Sequence, residues 1–136
     1  MQDFRSLKVW QASHQMTCDL YRATTAFPAS ETYGLTNQMR RAAVSVGSNI
    51  AEACGRGGRS EFARFLRIAV GSASELEYQI LLARYLGYLT VEANAALATR
   101  IIDVKRMLAG LIRKVETSGL SEDAHEFALG SLRTDD

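Results

Sequence analysis

One stretch of the sequence, residues 42–54, restricts the possible folds more than any other. It reads Ala-Ala-Val-Ser-Val-Gly-Ser-Asn-Ile-Ala-Glu-Ala-Cys, and Glu52 is its only charged residue. On a helical wheel the polar side chains fall on one narrow line, and every other direction is small and apolar. A helix on the outside of a lone bundle normally shows a broad polar face. We therefore expect this helix to be covered by more protein than one chain supplies, which predicts an oligomer.

The narrow polar line of this segment consists of Gln38, Arg41, Ser45, Asn49, Glu52 and Arg56. Asn49 and Glu52 would destabilise an otherwise apolar helix if they were buried without partners. We expect them to bond to an arginine or to the next helix near Ser72 and Glu75. The arginines of the line are then expected to neutralise nearby glutamates, including Glu77, within or between subunits. A binding pocket along the line is the alternative interpretation.

Four long segments repeat apolar residues at helical spacing, and they span about 4–27, 33–54, 60–87 and 90–118. The first is expected to bury the stripe Leu7, Trp10, His14, Thr17, Tyr21 and Thr24, and the fourth the stripe Leu97, Ile101, Val104, Leu108, Leu111 and Val115. A single proline against 19 alanines also favours helices. Because the connections are short, the pattern predicts an all-α, antiparallel up-and-down four-helix bundle over residues 1–118.

Local signals mark the ends of these helices. Pro28 disfavours the helical conformation at Phe27 and so ends the first helix. Ser30-Glu31 is a candidate cap for the second, Gly87 is expected just after the third, and Thr90 is expected to cap the fourth.

Residues 119–136 differ in kind from the rest of the chain. They contain five acidic residues against Arg133, a local charge of −4. Phe127, Leu129 and Leu132 are too few for an independent core, so we expect an acidic and mobile tail.

Composition favours certain cellular compartments for the protein, but it does not indicate a binding partner. The formal net charge is only +1, and two cysteines without a CxxC motif favour a reducing compartment. No apolar run reaches 18 residues and no signal-peptide pattern is present. The sequence therefore predicts a soluble, cytoplasmic protein with no membrane association.

Two long motif strings resemble a known family. The first is Tyr33-Gly34-Leu35, Gln38, Arg40-Arg41-Ala42-Ala43, Ser45, Asn49-Ile50-Ala51-Glu52 and Gly55-Arg56. The second is Phe65-Leu66, Ile68-Ala69, Gly71-Ser72, Glu75-Leu76-Glu77 and Leu86-Gly87-Tyr88. Together they resemble the bacterial four-helix bundle proteins called 23S rRNA intervening-sequence proteins. The sequence departs from the family pattern at Ala53-Cys54, where the family places glycine and an aromatic residue.

The resemblance implies a four-helix bundle assembled into a cyclic homopentamer, and it implies no activity. More distantly, the family is similar to the accessory protein of diversity-generating retroelements. That protein is a basic pentameric barrel that binds a reverse transcriptase and nucleic acid.

The sequence contains few residue patterns that are typical of catalytic or metal-binding sites. The histidines are His14 and His125, and nothing in the sequence places Cys18 or Cys54 beside His14, which is expected to be packed or at an interface. No Glu-x-x-His pair suits a di-iron bundle. We expect no enzyme, no metal and no cofactor.

Basic residues are concentrated between positions 40 and 67, where six arginines face only Glu52 and Glu61. Arginine suits bidentate contact with phosphate, and it equally suits ion pairs between subunits. The candidates for nucleic-acid binding are Arg59, Arg64, Arg67 and Arg40. The glycine-rich turn at residues 55–60 is either a flexible connection or an anion site at a helix start.

Two functions follow from this pattern. The first is a non-catalytic oligomeric scaffold or adaptor that binds RNA, DNA or a nucleic-acid-handling protein. The alternative is a pure protein–protein interaction module whose arginines are used in subunit contacts.

Overall fold

The computed structural model describes residues 3–117, which contain four α-helices and no β-strand. They are α1 (Lys8–Thr24), α2 (Leu35–Gly55), α3 (Arg59–Tyr85) and α4 (Val91–Thr117). Short 3-10 helices occupy Phe4–Ser6 and Ala29–Glu31. The predicted boundary at residue 118 and the predicted acidic tail, 119–136, lie outside the described residues.

The four helices pack in a closed cycle. α2 lies against α3, α3 against α4, and α1 against both α2 and α4. The connections at residues 56–58 and 86–90 are short, so helices that follow one another along the chain run antiparallel. The predicted four-helix bundle is confirmed.

The buried faces of α3 and α4 match the predicted spacing. Every residue of the predicted α4 stripe is buried, and so are Leu66, Ala69, Ala73, Leu76, Ile80 and Ala83 of α3. Burial of side chains like these is the main source of stability for helices in a bundle.

On α1 the predicted core stripe was only partly right: Leu7 and Thr24 are buried, but the other buried positions lie one row away from it. The buried row is Val9, Ser13, Met16, Leu20 and Thr24. His14 and Tyr21 are exposed. Ser13 interrupts the apolar periodicity of the buried row. A small polar residue occupies this core position because α1 passes close to Gly47 of α2. A β-carbon at Gly47 would lie 3.5 Å from Ser13 Oγ.

The small apolar residues of α2 are covered within one chain, which corrects the argument from residues 42–54. Ala42, Ala43, Val46, Ile50 and Ala53 are all buried, with α1 and α3 packed on either side of the helix. Of the large hydrophobic residues of α2, only one is exposed, namely Val44 at 44%. The burial of α2 therefore does not require a second copy of the chain.

The helix boundaries follow from backbone and side-chain caps. Gly87 has φ +82°, which glycine adopts without strain, and it lies just after α3 as predicted. Thr90 Oγ1 accepts a hydrogen bond from the Ala93 N–H at 3.0 Å, which confirms the predicted cap of α4.

The capping role of Glu31 is more extensive than the sequence indicated. Its Oε1 accepts from the Leu35 N–H at the start of α2, and its Oε2 accepts from the Tyr88 hydroxyl, both at 2.9 Å. Ser30 and Glu31 themselves lie in a 3-10 helix rather than at the immediate N-cap of α2. This carboxylate therefore joins the start of α2 to the α3–α4 connection.

We expect Glu31 to make the fold sensitive to acid. The bond from the Leu35 N–H, and then that from Tyr88, hold the pKa of Glu31 below its ordinary value. A lowered folded-state pKa adds stability above the unfolded-state pKa, and this stability is lost as the pH falls through the folded-state pKa. Thermal unfolding from about pH 6 to about pH 3 should show a smaller acid-induced loss for Glu31→Gln than for the wild type. Glu92→Gln, an exposed carboxyl of α4, is the control, and equal losses for all three proteins would contradict the prediction.

None of the helices within residues 3–117 combines the length and the hydropathy needed to cross a membrane.

Candidate functional surface

The antiparallel order brings most of the excess positive charge to one end of the bundle. The start of α1, the end of α2, the start of α3 and the end of α4 meet there. We call this the basic end, and its basic residues are Arg5, Lys8, Arg56, Arg59, Arg64, Arg67, Arg113 and Lys114. Its acidic residues are Asp3, Glu52, Glu61 and Glu116. Counted over residues 3–117, eight basic against four acidic side chains leave an excess of four positive charges at this end.

Three arginines of the basic end form exposed ion pairs within the chain. Arg56 lies 2.9 Å from Glu52, Arg64 lies 3.2 Å from Glu61, and Arg67 pairs with Glu116. All three arginine side chains are at least half exposed. Exposed pairs of this kind contribute about 0–1 kcal/mol each. Their guanidinium groups can therefore exchange a carboxylate for another anion at little cost.

Phe65 holds two of these guanidinium groups in place. The Cζ atoms of Arg56 and Arg64 lie 5.0 Å and 4.5 Å from the centre of its ring. Cation–π contacts of this geometry restrict the arginines to the ring without using their hydrogen-bond donors. The sequence interpretation missed this role, although Phe65 follows Arg64 directly.

Arg59 is the candidate with the fewest partners. It is half-buried at the start of α3, and its Nε is buried without a hydrogen-bond partner among the residues that the structure describes. No ion pair joins Arg59 to another residue in the range 3–117. Gly58 precedes it with φ +91° and supplies no side-chain cap to α3. The predicted glycine turn therefore does use glycine for its backbone angle.

The structure separates Arg40 from the other candidates. Its Nε donates to Thr24 Oγ1 at 2.8 Å, and its Nη2 donates to the Tyr21 carbonyl at 3.1 Å. Its guanidinium also lies 4.6 Å from the centre of the Tyr21 ring. Arg56 follows Arg40 by sixteen positions, which corresponds to about 24 Å along the direction of α2. Arg40 therefore joins α2 to the end of α1 and does not belong to the basic end.

Part of the polar line lies against α3, but Asn49 bonds to its own helix and not, as expected, to an arginine or to α3. Gln38, Arg41 and Ser45 line a groove of about 320 Å³ together with Ser72 and Glu75. The Ser45 and Ser72 hydroxyls are 2.7 Å apart. Asn49 Nδ2 donates to the Ser45 carbonyl at 2.8 Å and contacts Ser45 Oγ at 3.1 Å. The hydroxyl pair links the middle of α2 to the middle of α3.

The expected pairing of the glutamates was right in one case only. Glu52 pairs with Arg56, but its side chain is 47% exposed, so the predicted cost of burial does not arise. Glu75 accepts from the Gln79 amide at 3.2 Å, and Glu77 pairs with Lys105 at 2.8 Å. Within residues 3–117, Arg41 makes no ion pair with any of the three glutamates.

His14 and Cys18 lie closer together than the sequence interpretation allowed. The Cys18 Sγ and His14 Nε2 are 3.9 Å apart, and the His14 ring stacks on Trp10 with centroids 4.8 Å apart. The spacing of four residues on one helix could have revealed the pair. A sulfur–nitrogen distance of 3.9 Å is a weak contact, and no acidic side chain orients the imidazole in the part of the chain described. No cluster of three or more metal-binding side chains occurs in that part either.

Comparison with known proteins agrees with this architecture. The family model for the 23S rRNA-intervening sequence protein matches residues 5–110. A solved structure from Bacteroides thetaiotaomicron, described as a protein with unknown function from the S23 ribosomal protein family, superposes with a TM-score of 0.72. It is 24% identical and covers 77% of this chain and 95% of its own, a level of identity that supports the fold alone. No curated protein matches the sequence. Because the family model covers most of the chain and the fold agrees, the chain belongs to the 23S rRNA-intervening sequence protein family.

Proposed function

We propose that the protein is an oligomeric, non-catalytic scaffold in the cytoplasm that binds nucleic acid, RNA in particular, through its basic end. The observation that carries the proposal is the excess of four positive charges at the basic end, where α1 and α3 begin and α2 and α4 end. The side chains of Arg56, Arg64 and Arg67 are at least half exposed, so phosphate groups can reach their donors. A nucleic-acid-handling protein with an acidic surface is a second candidate partner, because it is negatively charged as nucleic acid is.

Assembly would multiply this charge. We propose the cyclic homopentamer that the family resemblance implies, with α3 as the contact helix. The outer face of α3 carries four exposed hydrophobic residues, Ile68, Tyr78, Leu81 and Tyr85, and Gly71 lies between the first two. In a cyclic assembly the basic end of every subunit would face the same side. The fields would then add and steer a polyanion to that side.

Binding to single-stranded and double-stranded RNA and DNA of equal length, titrated with salt, tests the proposal. Phosphate contacts release counterions, so the logarithm of the association constant should fall linearly with the logarithm of salt concentration. We expect measurable binding at about 50 mM salt and a steep loss by about 200 mM. Absence of binding to all four ligands at the lower concentration would refute the proposal.

The alternative function, a pure protein–protein interaction module, is favoured by the exposed face of α3. Tyr85 is 74% exposed and Tyr78 is 61% exposed. Aromatic residues are enriched where proteins bind one another. Under this alternative the protein assembles but shows no salt-dependent binding to any nucleic acid.

Two substitutions at Gly71 test the stability of the single chain and its assembly separately. A β-carbon at Gly71 would meet nothing within 4 Å in the chain itself. Gly71→Ala should therefore raise the free energy of unfolding by about 0.5–1 kcal/mol, because glycine is a poor helix former. Gly71→Trp should instead prevent close approach of a second copy and lower the mass in solution. Light scattering after size exclusion checks the mass, and an unchanged oligomer with tryptophan at this position would contradict assembly through α3.

A further inference from the structure

A groove of about 400 Å³ lies between the end of α1 and the start of α2. Its volume is within the range of pockets that hold small ligands, ~300–1,000 Å³. Its polar lining consists of Thr24, Thr25, Thr32, Thr36, Asn37 and Arg40. Within residues 3–117, no aspartate or glutamate lines it. The groove lies at the end of the bundle opposite to the basic end, and the proposed function leaves it without a role.

The start of α2 presents N–H groups that the helix itself does not satisfy. The first N–H groups of an α-helix have no partner within the helix. Glu31 Oε1 accepts from the Leu35 N–H, and Gly34, which precedes α2, has no side chain that could act as a cap. The N–H groups of Thr36 and Asn37 have no hydrogen-bond partner among the residues that the structure describes. Two backbone donors are therefore open beside the groove.

The side chain of Thr36 is a second and independent sign of a ligand. Thr36 is only 8% exposed, and its Oγ1 is buried without a hydrogen-bond partner in the described part of the chain. Burial of a hydroxyl without a partner is unfavourable, and nearly all buried polar groups in native proteins are paired. Because Thr36 lines the groove, a ligand that enters it can supply the missing partner.

Arg40 gives the groove a fixed positive charge. Its Nε bond to Thr24 Oγ1 and its Nη2 bond to the Tyr21 carbonyl hold the guanidinium at the wall of the groove. Its Nη1 makes no hydrogen bond to any residue from 3 to 117, so donors remain for a ligand. The Glu31 carboxylate bonds to the Tyr88 hydroxyl of the α3–α4 connection and does not line the groove. The groove is therefore suited to an anion.

The arrangement of donors favours a phosphate group. Backbone N–H groups at a helix start commonly bind phosphate, and arginine adds charge-assisted bonds to its oxygens. A phosphate monoester has three terminal oxygens, so it can accept from the helix start, from the Thr36 hydroxyl and from Arg40 at the same time.

An adjoining groove of about 600 Å³ offers room for the organic part of such an ester. Asn37 and Arg40 line both grooves, so the two are continuous. Tyr21 and Val44 give the second groove apolar surface, and Arg41 lines it as well. This surface favours a phosphate ester over inorganic phosphate, because burial of its organic group adds to the affinity.

We propose that the groove at the start of α2 binds the phosphate group of a phosphate monoester. The Thr36 and Asn37 N–H groups, the Thr36 hydroxyl and the Arg40 guanidinium donate to the phosphate oxygens, and the adjoining groove receives the organic group. The monoester is either a free nucleotide or the 5′-phosphate of an RNA strand. The inference does not depend on the proposed function, because the basic end lies at the other end of α2.

Amide NMR titration of the full chain with inorganic phosphate, adenosine 5′-monophosphate and adenosine tests the proposal. The Thr36 and Asn37 resonances should shift with both phosphates and not with adenosine. The monophosphate should bind at least about threefold more tightly than inorganic phosphate, because the adjoining groove also contacts it. Shifts confined to the basic end, or equal shifts with adenosine, would overturn the proposal.

Two RNA strands of one sequence, with a 5′-phosphate or a 5′-hydroxyl, distinguish the sources of the phosphate. Tighter binding of the phosphorylated strand, with shifts at Thr36 and Asn37, identifies the RNA end as the ligand. Equal affinities, together with shifts caused by adenosine 5′-monophosphate, identify a free nucleotide. Either result supports the phosphate site, and neither depends on whether the basic end binds RNA.

Thr36→Val removes the hydroxyl with little change of shape. The affinity for adenosine 5′-monophosphate should fall roughly twofold to tenfold. The melting temperature of the free protein should not fall, because this hydroxyl has no hydrogen bond to lose within residues 3–117. Thr17→Val is the matched control, since Thr17 lies on the α2 side of α1 but does not line the groove, and it should leave the affinity unchanged.

Arg40→Gln should weaken the same affinity by roughly tenfold to a hundredfold, because it removes a charge-assisted donor. Arg84→Gln makes the same charge change near the end of α3, at the same end of the bundle, and should leave the affinity unchanged. Circular dichroism shows whether the Arg40 variant keeps its fold. If it does not, Thr36→Val alone decides, and an unchanged affinity in that variant would overturn the proposal.

Discussion

Replacing Arg59, Arg64 and Arg67 together by alanine is expected to weaken nucleic-acid binding on the order of a hundredfold at about 50 mM salt. Each phosphate contact that is lost should reduce the slope of affinity against salt by about one, so the slope should fall by about three. The bundle should remain folded, because Arg64 and Arg67 are at least half exposed and their ion pairs with Glu61 and Glu116 are weak. Fluorescence anisotropy at four salt concentrations measures both quantities.

The matched control removes three arginines outside the basic end, namely Arg22, Arg84 and Arg106. It changes the net charge of the chain by the same amount. If binding depends on the basic end, the control keeps most of its affinity and nearly the wild-type slope. Equal losses in the two triple variants would mean that only overall charge matters, and the basic end would then lose its special role.

The same triple variant separates the two proposed functions. An intact oligomer that loses affinity for nucleic acid supports the scaffold. Loss of the oligomer supports the interaction module, in which the arginines contact other subunits. Arg64 and Arg67 already have partners within their own chain, so we expect the oligomer to survive.

Leu76→Ala is expected to lower the free energy of unfolding by about 2–5 kcal/mol. Leu76 lies near the middle of α3 and has no exposed surface. The substitution removes buried apolar surface, and it leaves a cavity that the surrounding helices fill only in part. A loss of this size is a large fraction of the stability of a small domain. Urea denaturation followed by circular dichroism measures it.

Leu81→Ala is the matched control, with the same change on the same helix. Leu81 is 42% exposed, so less apolar surface is lost and no cavity forms. We expect a loss below about 1 kcal/mol for the single chain. A larger loss of stability that grows with protein concentration would show that Leu81 is buried between copies. Equal losses for both leucines at all concentrations would contradict the assigned core.

The buried residues of α4 were predicted more accurately from the sequence than those of α1. The α4 stripe from Leu97 to Val115 was correct throughout, because every core position there holds a large aliphatic residue. On α1 the core row includes Ser13, whose polarity conceals its burial, and Thr24, which the predicted stripe already contained. Thr24 Oγ1 bonds to the Leu20 carbonyl inside the helix, so its polarity costs little.

The candidate surface was predictable in part. The arginines at the start of α3 are visible in the sequence, as is the pairing of Glu52 with Arg56 four residues later. The separation of Arg40 was not, since its partners are 16 and 19 positions away on α1. The role of Phe65 was also hidden, because it depends on the end of α2 returning beside the start of α3.

The sequence by itself determined the four helices, their ends at Gly87 and Thr90, and the family, because periodicity, caps and motif strings are local properties of the chain. Only the tertiary structure decided which row of α1 is buried and that α2 is covered within one subunit. It also decided that the excess charge collects at one end and that a groove opens at the start of α2. These features depend on contacts between residues far apart in sequence, and the spacing along one helix carries no information about which neighbour covers it.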